Sequence, residues 1–124
     1  MAARSIEIDS GSVRFGTSSF SSEDWVGPFY PKGTEPRDFL SVYSQRFDTV
    51  EVDSTYYALP KPANVARWAE VTPPGFLICA KFPRSIVHCG KSYKPDAREI
   101  MQPDVTYPIR DKFLETMSRL GDKL

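Results

Sequence analysis

An α/β fold is predicted for this 124-residue chain by three features of its sequence. Three apolar runs of strand length, at 13–17, 49–53 and 76–82, alternate with stretches whose apolar residues recur at helical spacing. Prolines stand where the helical stretches open, and a Pro-Pro-Gly closes one of them. Strands separated by helices imply parallel pairing through crossover connections, and 40% hydrophobic residues suffice for one modest core.

Residues 1–12 are polar apart from an Ile6/Ile8 alternation and are expected to form a loosely held leader ahead of a domain at 13–124. VRFGT (13–17) reads as a first strand, which Ser18, Ser19, Ser21 and Ser22 break. A long loop follows to Gly33, with Trp25, Phe29 and Tyr30 set among glycines and prolines. Aromatics so placed fold a loop onto its scaffold or contact a ligand, and the first reading is the commoner one. Phe39, Tyr43 and Phe47 recur every four residues, which predicts a helix over 37–47. TVEVD (49–53) is the second strand. Pro62 opens a helix to about Val71 that buries Val65, Trp68 and Ala69. FLICAKF (76–82) is nearly continuous in apolar residues, as expected of a strand covered on both faces with Cys79 in the core. The polar stretch 84–108 is long for a connection, and a last helix over 109–120 aligns Ile109, Phe113, Met117 and Leu120 before Gly121.

Sixteen basic and sixteen acidic residues balance, so no global positive field draws the chain to nucleic acid, although a local basic patch stays open. No signal-peptide core or membrane-length apolar run is present, and a cytoplasmic protein is expected. Cys79 and Cys89 with the single His88 indicate neither a disulfide framework nor a zinc site. No motif supports a named cofactor.

Five motifs in one order, VRFGTSSFS, W-x-G-x-FYP, FDTVEVDSTYYALP, V-x-RW-x-x-x-TPPGF and AKFPRSIVH, resemble the YecE-like family, domain of unknown function seventy-two. The resemblance runs from about Val13 to the carboxyl end. It implies a TIM-type (β/α) barrel of which these are the first three strands, so a truncated product, a fragment or a half that pairs with another chain is expected. Self-association through free strand edges is the corresponding partner expectation. The family has no settled activity, so the resemblance brings no catalytic assignment. Asp53 stands where Asn is frequent in the family.

Strand alternation puts Glu51 and Asp53 on one face of the second strand and Val50 and Val52 on the other. In a barrel the valines face the helices and the carboxylates point inward, near the end where barrel enzymes keep their sites. Lys81 on the third strand is expected to meet them. Two readings compete: a proton-transfer or phosphate- or metal-binding set, and a buried ion-pair network that sets register. His88, just past that strand, suits acid–base work at neutral pH, and a solvated loop histidine is the alternative.

The candidate catalytic residues are thus Glu51, Asp53, Lys81 and His88. Thr17 and Ser18 of a small-residue loop, Trp25, Tyr30, Tyr57 and Arg84 are the candidate substrate contacts, and a small anionic ligand is the expected partner. The first function expected is that of a hydrolase or lyase on a phosphate- or sugar-containing substrate. A nucleic-acid or protein binding module using the loop 84–94, with Arg84, Lys91, Tyr93 and Lys94, is the second.

Overall fold

The computed structural model describes residues 6–8, 11–88, 98 and 102–124, and within them strands and helices alternate as an α/β fold. The chain opens with a short antiparallel ladder in which Ile6–Ile8 (β1) runs against Gly11–Val13 (β2), Ile6 opposite Val13. Within the stretch expected as a loose leader, this ladder pairs β1 with β2 as a two-stranded sheet of its own. The expected strand 13–17 survives as a single parallel bridge between Ser18 and Glu51. The Glu51 N–H donates to the Thr17 carbonyl at 3.0 Å and the Ser19 N–H to the Glu51 carbonyl at 2.7 Å. Gly16 permits this approach, because a Cβ there would lie 2.1 Å from the Thr49 carbonyl oxygen.

A 3₁₀ turn at Pro36–Asp38 leads into Phe39–Tyr43 (α1), shorter than the predicted span but with Phe39, Leu40 and Tyr43 buried as the spacing requires. Thr49–Val52 (β3) follows, and Ser54–Tyr57 forms a single helical turn (α2) that the sequence did not announce. Pro62–Val71 (α3) has the predicted bounds. Its last carbonyls are taken up from the far end of the chain: Lys123 Nζ donates to the Ala69 and Thr72 carbonyls, each at 2.6 Å. Leu77–Ala80 (β4) pairs in parallel with β3, Thr49 opposite Leu77 and Val52 opposite Ala80.

Arg84–Val87 (α4) is one turn. Pro103–Met117 (α5) begins six residues before the predicted start and carries Pro108 inside it. The helix absorbs that proline's missing donor because only the carbonyl of Asp104 loses its intrahelical partner. A 3₁₀ segment, Ser118–Lys123, ends the chain's regular structure.

The core lies on one side of the β3–β4 pair. Val50, Val52 and Ile78 are buried there with Phe39, Tyr43, Val65, Phe76, Phe113 and Met117. Tyr30 stacks on Phe39 with centroids 4.4 Å apart and planes 7° from parallel, which draws the aromatic loop into the same core. Arg14 Nη1 donates to the Gly75 carbonyl at 2.8 Å and fixes the approach to β4. The opposite face of the pair is exposed at Glu51 and Cys79. The expectation of a third strand covered on both faces with Cys79 in the core is therefore corrected. Strand parity sends Cys79 to the same face as Glu51, its register partner, away from the helices.

Candidate functional site

The site is built by the same parity. Glu51 points to the open face of β3, Asp53 lies one residue beyond the strand, and the parallel register brings Lys81 alongside both. Lys81 Nζ is 3.1 Å from Glu51 Oε1 and 2.7 Å from Asp53 Oδ1, and the Ser18 hydroxyl donates to Asp53 Oδ2. The backbone beneath is stitched together. The Lys81 N–H donates to the Val52 carbonyl at 3.3 Å, and the fully buried Thr55 hydroxyl lies 2.7 Å from the Lys81 carbonyl and 3.1 Å from that of Val52. Its one proton serves one carbonyl at a time.

These contacts fix the charges. Bonding to Asp53, and then to Glu51, pushes the Lys81 ammonium up to about 12, against a smaller opposing effect of desolvation. The Lys81 ammonium, followed by the Ser18 hydroxyl, holds Asp53 below the usual carboxylate range. The approach of Nζ to Oδ1 is close but off the ideal hydrogen-bond direction, so the contact is an ion pair first; opposite charge at that distance suffices for the shift. With side-chain exposures of 46% for Lys81 and 31% for Asp53, water screens the pair. Its consequence is a durable anion beside a durable cation rather than a large gain in stability.

Asp53 and Lys81 line a cleft of about 500 Å³ together with Tyr56, Tyr57, Phe82, Val87 and His88. His88 follows α4, its N–H donating to the Arg84 carbonyl at 2.8 Å. Its Nδ1 lies 2.6 Å from the Tyr56 hydroxyl, and the two rings meet edge to face at 5.6 Å. With Tyr56 as donor, the neutral imidazole carries its proton on Nε2. A neighbouring cleft of about 570 Å³ shares Tyr56 and Tyr57 and adds Arg84 and Lys112. Among the described residues, no group of three or more His, Cys, Asp or Glu side chains comes together to hold a metal.

The predicted site residues divide clearly. Asp53, Lys81, His88 and Tyr57 border one cleft, with Glu51 and Ser18 bonded to the pair inside it. Arg84 borders the neighbouring cleft. Tyr30 is a correction: it is fully buried, with its hydroxyl donating to the Phe20 carbonyl at 2.5 Å, and burial raises its phenol to about 12. Trp25 packs at 5.8 Å against Phe29 and anchors the same loop. Thr17 is likewise engaged, its N–H donating to the Tyr43 hydroxyl at 2.7 Å and its own hydroxyl to the Ser19 carbonyl at 2.7 Å. With the Ser19 amide held by Glu51, the expected anion cradle at 16–19 has two of its amides already bonded. Lys91, Tyr93, Lys94 and Cys89 lie outside the described residues.

Tyr56 is the residue that sequence reasoning missed. Nothing in the motif separates it from Tyr57; in the helical turn α2 the two rings meet edge to face at 5.0 Å, with the Tyr56 hydroxyl on His88 and Tyr57 largely exposed.

A family model described as "Protein of unknown function DUF72" matches residues 14–124. The UPF0759 protein YecE of Escherichia coli K12 is 49% identical over 49 residues, which is 40% of this chain and 18% of that protein. A crystal structure of a DUF72 family protein from Thermotoga maritima MSB8 aligns with a TM-score of 0.64 at 31% identity, over 87% of this chain and 39% of the other. One from Enterococcus faecalis V583 aligns with a TM-score of 0.63 at 28% identity, over 90% and 36%. The chain thus spans less than half the length of the relatives it matches. With the whole of its sequence from Arg14 onward matched by one family model, β3, β4 and all of its helices included, this chain belongs to DUF72.

Proposed function

We propose that the cleft at the carboxyl ends of β3 and β4 is the active site of a hydrolase or lyase acting on a phosphate- or sugar-containing small molecule. The observation that carries this reading is the convergence of Asp53, Lys81, Tyr56 and His88 on one cleft. Asp53, held ionised, is suited to stabilise developing positive charge or accept hydrogen bonds and unsuited to donate a proton. The donor is His88 as imidazolium: with Nδ1–H on the Tyr56 hydroxyl oxygen, the Nε2 proton is left for the leaving group and the product is the neutral imidazole. Lys81 supplies fixed positive charge for an oxygen that becomes negative as the reaction proceeds.

In this reading the Ser18 bridge, β3 and β4 are the opening strands of a TIM-type barrel. Three adjacent parallel segments, a helix-covered outer face and a charged inner face support it. Further strands, from a longer chain or a second copy, would cover the exposed inner face and close the cleft.

The test is release of p-nitrophenol from aryl phosphates and aryl glycosides, with Lys81→Met and His88→Gln compared at matched thermal unfolding midpoints. Turnover falling by about 10²–10⁴-fold in each variant is expected for general acid–base and electrostatic roles. Variants that keep wild-type turnover would sink the proposal.

A further inference from the structure

The charge balance of the cleft narrows the substrate class. Glu51 and Asp53 both bind the Lys81 ammonium, so these three groups carry one net negative charge, and a protonated His88 would bring the balance only to zero. A phosphate monoester, with a charge of about −1.5 to −2 at neutral pH, meets no positive potential there, and its approach to Lys81 must displace a carboxylate. A neutral polyhydroxy compound meets a different surface. Asp53 accepts from its hydroxyls, Lys81 and the imidazole donate to them, and no charge has to be desolvated without a partner.

The walls suit the other face of such a molecule. Tyr57 is 67% exposed and Phe82 44% exposed, both bordering the cleft, and their rings present apolar surface to the C–H face of a sugar. Phe82 also packs on the core residue Phe113, with centroids 5.3 Å apart, whereas Tyr57 meets Tyr56 edge to face at 5.0 Å and is outside the core cluster, so its exposed ring is the one left for a ligand. The volume of about 500 Å³ falls within the range of roughly 300–1,000 Å³ usual for small-molecule sites.

We infer that the cleft takes a neutral sugar, with hydroxyls directed at Asp53 and Lys81 and a C–H face laid on Tyr57, in preference to a phosphorylated one. The inference rests on the reading of this cleft as the active site and names its substrate class. The cations Arg84 and Lys112 belong to the neighbouring cleft, where a phosphorylated sugar would have to place its charge.

The experiment is a titration of the full chain with methyl glucoside, methyl galactoside, methyl mannoside and glucose 6-phosphate, followed by saturation-transfer NMR at low salt. At least one neutral glycoside is expected to bind about tenfold more tightly than glucose 6-phosphate. Tyr57→Ala should weaken that binding about tenfold with no change in the unfolding midpoint, since the ring is outside the core. Asp53→Asn should narrow the gap in favour of the phosphorylated sugar.

Glucose 6-phosphate binding as tightly as the neutral glycosides overturns the inference, and so does loss of neutral-glycoside binding in Lys112→Gln, which would place that ligand in the other cleft. Failure of every neutral glycoside to bind overturns it as well. Those results leave standing an active site that turns over aryl phosphates. Glycoside binding without turnover of any aryl substrate does the reverse: it removes the enzyme and keeps the ligand class.

Discussion

The two faces of the β3–β4 pair handle polar groups in opposite ways. On the helix side, hydroxyls bond to backbone: Tyr43 donates to the Thr49 carbonyl at 3.1 Å, Tyr30 to that of Phe20, and Thr55 to that of Lys81 or of Val52, all three side chains fully buried. On the open side, polar groups bond to one another: Lys81 to Glu51 and Asp53, Asp53 to Ser18. A buried hydroxyl on a carbonyl has nowhere else to go without leaving an unsatisfied group. Half-exposed side chains bonded to other side chains can exchange those partners for a ligand at little cost. One strand, read at alternate residues, therefore holds the fold together on one side and presents exchangeable charged groups on the other.

The largest effect belongs on the helix side. Phe39 is 1% exposed and stacked face to face on Tyr30, so Phe39→Ala removes a buried ring and leaves a cavity between α1 and the aromatic loop. A loss of about 3–5 kcal/mol is expected, read as a drop in the urea midpoint. A loss below about 1 kcal/mol would break the contrast, because it would make the stacked aromatics surface decoration.

The next effect tests the seam between the faces. Thr55 sits in the core while its hydroxyl fixes the carbonyl of Lys81, so Thr55→Val keeps the volume and removes the donor. A cost of about 1–3 kcal/mol is expected for leaving a buried carbonyl short of its partner. Turnover of any aryl substrate should fall further than in other variants of equal stability, because the loosened residue carries the ammonium. Unchanged activity at lowered stability would confine Thr55 to the fold.

The legibility of these regions in sequence followed the range of the interactions that made them. Helix α3 was readable to its ends because Pro62 and Pro73-Pro74-Gly75 act locally. Glu51, Asp53 and Lys81 were readable because strand parity and parallel register need no tertiary knowledge. No spacing in the sequence signals that the Tyr30 hydroxyl bonds to Phe20 and the Thr17 N–H to Tyr43, so the sequence alone predicts ligand contacts where these groups are already engaged. Tyr56 was missed because its partner His88 lies 32 residues away and reaches it only through two one-turn helices. An apolar run looks the same whether one face or two are covered, which is why the run 76–82 predicts Cys79 as core although the side chain is exposed.

The smallest effect lies on the open side and shows itself through pH. Asp53 is held below its ordinary 3.8 by Lys81, so between its folded value and 3.8 the unfolded chain binds more protons than the folded one. Its contribution is therefore fully present above 3.8 and is lost as pH falls through the lowered folded value. Lys81, raised from 10.5 to about 12, mirrors this: its contribution is present below 10.5 and is lost as pH rises through about 12. The stability difference between wild type and Asp53→Asn should accordingly shrink on acidification and under added salt, while the cost of Phe39→Ala, which involves no proton, stays constant over the same range. Urea midpoints at neutral and acid pH measure both. A difference for Asp53→Asn that persists at acid pH would mean that the carboxylate is held by shape rather than by charge, and the two faces would then differ in exposure alone.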